Sequence, residues 1–195
     1  MTRRLTPAGS PPSVPNMRRR VVICVGFVLA ASLALWLGLV WLQQHYHSLI
    51  TQHSGVECSL IEPGLYLGGY VQEAPRGTTA VLNLCESEDP FACEVNRWEP
   101  IRDAAPAPDL DWLRSQVGFI DERRNAGGTV FVHCRAGVSR GGMVVVAYLM
   151  HEHGWSRDNA LEFVRTKRPL VRPNPAFMER LEEWEEEIAD RAISP

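Results

Sequence analysis

Cys134 and Arg140 have the residue types and the spacing to do chemistry together. They lie within Val130-Phe131-Val132-His133-Cys134-Arg135-Ala136-Gly137-Val138-Ser139-Arg140-Gly141-Gly142. The stretch begins as a short β-branched and aromatic run, the pattern of a buried strand. Small residues follow, and Met143–His151 reads as a buried helix. The segment from Cys134 to Arg140 is then the loop between a strand end and a helix start. Such a loop aims several backbone N–H groups into one concavity at the positive end of a helix dipole. Phosphate fits there. A thiol at the mouth favours its thiolate, because the same N–H groups and Arg140 stabilise the anion. The planar guanidinium of Arg140 can grip two phosphate oxygens at once. Nucleophile, anion cradle (Arg135, Ala136, Gly137, Val138, Ser139 and Arg140) and clamp all belong to one loop.

Cys134 and Arg140 flanking five residues, with His133 in front and Gly137 inside, resemble the signature of the cysteine-based protein phosphatases. Val138-Ser139 before Arg140 resembles the dual-specificity branch. Rhodanese-like sulfurtransferases also place a Cys on a loop before a helix, but they lack the partners that follow. Ile61-Glu62-Pro63-Gly64-Leu65-Tyr66-Leu67-Gly68 is similar to the opening of dual-specificity domains. Arg168-Pro169-Leu170-Val171-Arg172-Pro173-Asn174-Pro175-Ala176-Phe177 is similar to a segment near their end. The likeness covers roughly residues 56–188.

The resemblance implies an α/β fold with a central, mostly parallel sheet of about 4–5 strands flanked by helices. It implies hydrolysis of phosphotyrosine, and less readily of phosphoserine or phosphothreonine, on phosphoprotein through a phosphocysteine on Cys134. Asp103 matches the family's general acid, 31 residues before Cys134 on a Pro-rich loop; Asp109 is the reserve. His133 and Asn174 are expected to support the loops. Cys85 is similar to the second cysteine that the phosphatases of regenerating liver, and the tensin-type lipid phosphatase, can bond to the catalytic one. A small buried cysteine is the plainer reading of it. Where the family usually has Ser or Thr after the signature Arg, this chain has Gly141. That departure keeps a low-turnover phosphate-binding module open, and at a helix start a serine there is expected to fit easily. A phosphoinositide substrate is the other alternative. Against it, Arg135 is the only basic residue inside the loop.

The net charge of −3 is unevenly spread. Residues 1–20 carry five Arg and no acid, and residues 21–54 carry no formal charge, so the remainder carries −8. So acidic a catalytic portion argues against nucleic-acid binding. The five cysteines form no C-x-x-C pair, so neither a structural zinc site nor a disulfide scaffold is indicated. No metal or other cofactor is suggested, and no oligomeric state.

Residues 1–20, with Pro7, Pro11, Pro12 and Pro15, read as a disordered basic tail. Residues 21–42 are uncharged. At about 1.5 Å per residue they can cross a hydrocarbon core of about 30 Å, and Trp36 and Trp41 suit its aromatic belt. The run is too long for a usual signal-peptide core, and no clean cleavage site follows. A single-pass membrane anchor is therefore expected, then a polar linker at 43–55 and a catalytic domain at 56–190. The charge rule puts the N-terminus in the cytoplasm and the domain on the far side. A reactive thiolate fits an oxidising compartment poorly, which leaves the side open.

The elements that must position the loop follow from pattern. Residues 79–84 read as a strand. Asp109 caps a helix over 110–125 that Gly127-Gly128 stops. A strand at 129–133 leads through the loop to a helix at 142–153. Gly154 breaks it, Ser156 caps a helix to Lys167, and Asn174 with Pro175 starts the last helix. Phe177, Leu181, Trp184 and Ile188 share one face of that helix. The Glu182–Glu187 run reads as its solvated side.

Overall fold

The computed structural model describes Trp36, Gly38 and residues 58–193. The chain divides into two units, residues 1–52 and 53–195. The expected tail, membrane span and linker lie outside the described residues, save Trp36 and Gly38, both helical. Among the described residues no helix is long and apolar enough to cross a membrane.

The second unit contains five strands and four helices among its described residues. The strands are β1 (Cys58–Glu62), β2 (Leu65–Gly68), β3 (Ala80–Asn83), β4 (Val95–Trp98) and β5 (Val130–His133). The helices are α1 (Leu110–Asn125), α2 (Arg140–His153), α3 (Arg157–Lys167) and α4 (Pro175–Ile193). The sheet order is β1-β2-β5-β3-β4. Only β1 and β2 are antiparallel, joined by the Pro63-Gly64 turn; the other three pairings are parallel. This is the mostly parallel α/β sheet that the resemblance implies.

Pattern analysis gives no strand at β1 or β4. Both are edges, and β4 is never fully buried. An edge strand needs little apolar periodicity, because only part of one face packs.

β5 lies at the centre, between β2 and β3, and all four of its residues are buried. Alternation sends Val130 and Val132 into the main core and Phe131 to the opposite face. His133 therefore shares a face with Phe131 and stacks on it, with ring centroids 4.9 Å apart. Helix α2 is buried at every position from Arg140 to Met150. A helix apolar all round needs cover on all sides. It packs against α1, α3 and α4, and against β2 and β5.

The helix boundaries are physical. Asp109 accepts a hydrogen bond from Trp112 N, and Ser156 from Asn159 N. Gly154 ends α2 with φ +64°, in the left-handed region that glycine enters freely. Helix α2 starts at Arg140, two residues before the expected start. Its N-cap, Ser139, makes no capping bond, because its hydroxyl has other partners.

Candidate active site

The carboxyl ends of β3 and β5 lie side by side, and in parallel sheets ligands bind beyond such ends. From β5 the chain runs through residues 134–139 into α2. Four successive carbonyls of this loop are tied outward. Arg135 O accepts from Tyr70 N at 3.2 Å, and Val138 O from Arg172 N at 2.9 Å. Between them, Ala136 O and Gly137 O accept from Arg168 Nη2 at 3.0 Å and Nε at 2.7 Å. In a trans peptide the N–H of the next residue points away from the carbonyl. The amides of Ala136, Gly137, Val138 and Ser139 therefore face inward together, forming an anion nest.

Gly137 is required for this shape. Its φ is +63°, and a Cβ there would lie 2.4 Å from Gly68 C and O. Arg168 is buried, and that burial lowers its pKa from the ordinary guanidinium value.

Arg140 is held by segments outside the loop. Its Nη1 donates to Leu84 O at 3.2 Å, Glu86 Oε1 at 2.8 Å and Ile101 O at 3.1 Å. Its Nε is buried with no partner among the described residues. Burial opposes the charge, but Glu86, Cys134 and Asp103 outweigh it and hold the pKa above the usual guanidinium range. The bond to its own backbone N–H and the bond from Arg140 lower the Glu86 pKa.

Asp103 is brought to the loop. Its Oδ1 accepts from Ser139 Oγ at 2.6 Å and from Asn174 Nδ2 at 2.9 Å. Ser139 Oγ in turn accepts from Asn174 N at 3.1 Å. Asn174 also caps α4, its Oδ1 accepting from Phe177 N at 3.0 Å. One asparagine thus joins a helix start, the loop and Asp103. Asp109 is a cap remote from this cluster.

The His133 ring lies between Cys85 and Asp89 in its polar contacts. Its Nδ1 lies 3.7 Å from Cys85 Sγ. Its Nε2 lies 3.0 Å from Asp89 Oδ1, within ion-pair range but without the alignment of a hydrogen bond. Cys85 is buried, and its thiol is pushed up to about 12, by burial first and by Cys134 next. Trp98 Nε1 donates to Cys85 O at 2.8 Å.

Gly141 has a packing reason. A Cβ there would lie 2.8 Å from Leu67 Cδ1, a buried core atom. The expectation that serine fits easily is therefore corrected: Leu67 must move.

Sequence reasoning gave no role to Glu86, Asp89, Arg168 or Trp98. Glu86 carries a signal, an acid just beyond a strand that ends beside the Cys134 strand. Arg168 opens the segment that resembles the family's, but its type and spacing do not show which carbonyls it meets.

The dual specificity phosphatase catalytic domain family matches residues 67–187. The chain belongs to the dual specificity phosphatase family. Dual specificity protein phosphatase 1 of Arabidopsis thaliana is 36% identical over 149 residues, covering 70% of this chain and 74% of that protein. The human protein of the same name is 34% identical over 136 residues, 66% of this chain but only 37% of the relative's own length. Among solved structures, human DUSP28 is 30% identical with a TM-score of 0.63, covering 68% of this chain and 95% of that one. PTPMT1 in complex with PI(5)P is 27% identical with a TM-score of 0.61, covering 68% and 96%. Family membership covers the domain with the loop and leaves residues 1–66 outside the match.

With a pKa near 12, Cys85 stays a thiol at neutral pH, and its alkylation should begin only in strong alkali. Brief iodoacetamide treatment at neutral pH should label Cys134 and spare Cys85. Peroxide should first convert Cys134 to a sulfenic acid. The Cys85 thiol then displaces its hydroxyl, forming the disulfide and releasing water. Peptide mapping should find an 85–134 crosslink, and Cys85→Ser should lose thiol-reversible recovery. Full recovery in that variant would contradict the pairing.

Proposed function

We propose that the chain is a membrane-anchored phosphatase of phosphoprotein, acting on phosphotyrosine ahead of phosphoserine and phosphothreonine. The observation that carries this reading is the Ser139–Asp103–Asn174 cluster, which brings a carboxylate to the rim of the anion nest. A phosphate-binding module has no use for that carboxylate; a hydrolase needs it.

The steps follow from the geometry. The inward amides and the Nε edge of Arg140 hold the equatorial oxygens, more tightly as charge develops. Cys134 attacks phosphorus and becomes phosphocysteine. Asp103 gives its proton to the leaving oxygen, then takes one from water as the intermediate is hydrolysed. Glu86 fixes Nη1, so Arg140 presents its free edge without reorganising. A lipid substrate is less favoured, with Arg135 the sole basic residue within the loop.

Slow turnover belongs to this proposal. The one proton of the Ser139 hydroxyl goes to Asp103, so Ser139 cannot also donate to a departing Cys134 thiolate. Gly141 offers no hydroxyl. A hydrogen bond to a charged group is worth about 1.5–3 kcal/mol, and about 1.4 kcal/mol is tenfold in rate. Breakdown of phosphocysteine should therefore be one to two orders of magnitude slower than with a hydroxyl in place.

Three outcomes test these statements. Cys134→Ser should abolish aryl phosphate hydrolysis with folding intact, and Arg140→Lys should nearly do so, since a point charge cannot replace the fork. Equal activity in Cys134→Ser would defeat the proposal. Wild-type traces should show a burst of phenol and then a slow phase. Gly141→Ser, paired with Leu67→Val to make room, should speed only the slow phase. A trace with no burst, and no gain in the pair beyond Leu67→Val alone, would count against slow turnover. Residues 21–42 should hold the chain in the membrane fraction through an alkaline wash; release by the wash would remove the anchor.

A further inference from the structure

Most arginines of the domain are ion-paired, Arg97, Arg114 and Arg124 among them. Arg102 and Arg172 are exposed and, among the described residues, pair with no carboxylate. Both are tied by their backbones to the phosphate site. Arg102 directly precedes Asp103, which Ser139 and Asn174 hold against the loop. Arg172 donates its backbone N–H to Val138 O, inside the loop itself. On another side, exposed Arg135 lines a cavity of about 340 Å³ with Tyr70, Cys85, Glu86 and Ser87. Glu86 partly compensates Arg135.

Residues 55–195 carry −8, so an acidic substrate is repelled by the domain as a whole. Cations gathered at one cleft reverse that field locally and raise the concentration of anions there. The reacting phosphate already has Arg140 and four amides. Arg102, Arg172 and Arg135 stand on other loops or outside the nest, where they meet what flanks that phosphate.

We infer that Arg102, Arg135 and Arg172 form an electrostatic rim that selects phosphopeptides with acidic residues beside the phosphorylated one. This deepens the phosphoprotein reading and rests on it. A peptide suits the layout better than a lipid headgroup. Its side chains extend to both sides of the phosphoresidue, about 3.3 Å apart along the strand, while the cations lie on the Asp103–Asn174 side and on the Tyr70–Glu86 side. A headgroup entering the loop would meet only Arg135 there. The exposed Tyr70 and Trp98 add flat apolar surface beside Cys85, Tyr70 lining the cavity and Trp98 bonded to Cys85 O.

The test uses the full chain in detergent. Three phosphotyrosyl peptides differ only in flanking residues: Glu, Gln or Lys. At low salt the Glu peptide should have a kcat/KM about tenfold above the Gln peptide, and added salt should erase the difference. Arg102→Gln should remove much of that preference and leave a small aryl phosphate within about twofold of wild type, and adding Arg172→Gln should remove most of the preference that is left. Arg102→Glu with Arg172→Glu should favour the Lys peptide. Equal kcat/KM for all three peptides would overturn the inference. So would faster hydrolysis of phosphatidylinositol phosphate in phosphatidylcholine vesicles than of any peptide. Binding of the same peptides to Cys134→Ser reads the preference without turnover. If the wild type hydrolyses nothing, the phosphatase reading fails, while the order of binding still decides the rim.

Discussion

The outward tethering of four consecutive carbonyls is the constraint on which the rest depends. Left alone, residues 135–138 would turn some carbonyls inward, and a carbonyl repels phosphate. Tyr70, Arg168 and Arg172 prevent this by claiming all four oxygens from behind. Arg168 does the most, with one buried guanidinium serving two neighbouring carbonyls. The missing side chain at Gly137 lets the loop lie against Gly68. The inward amides are therefore set before any anion arrives, and a preorganised oxyanion site needs that property.

A second layer orients the groups that would react. Glu86, Leu84 O and Ile101 O share Nη1 of Arg140, while its buried Nε has no partner among the described residues. The Ser139 hydroxyl bonds Asp103 and the amide of Asn174, which is why α2 begins without a side-chain cap. That helix gives up a bond worth about 1 kcal/mol at its start, and the loop gains a fixed carboxylate. Loss of a local stabilising feature at such a place is common where function sets the geometry.

Much of this was legible in the sequence. Apolar β-branched runs mark β3 and β5, and cap residues mark the helix starts at Asp109, Ser156 and Asn174, since these signals act locally. Cys134, Arg140 and Gly137 announced themselves by type and spacing within one loop. Asp103 came through resemblance alone; nothing in its Pro-rich surroundings shows that it meets Ser139, 36 residues later. The edge strands β1 and β4 were silent, because part-exposed strands carry little periodicity. The partners of Arg168, Glu86 and Asp89 do not show in the sequence, because they are set by the crossing of distant segments. The obstacle to a serine at position 141 is hidden for the same reason: Leu67 is a neighbour in space only.

In the proposed mechanism Asp103 delivers a proton to the leaving oxygen while Cys134 attacks. The most direct measurement is the dependence of kcat/KM on leaving-group pKa, over a series of aryl phosphates, for the wild type and for Asp103→Ala. With the proton supplied, the wild type should be nearly indifferent to the leaving group. Asp103→Ala should fall steeply as the leaving group becomes more basic, and should approach wild-type rates for the most acidic phenols. Parallel slopes in the two proteins would contradict the account.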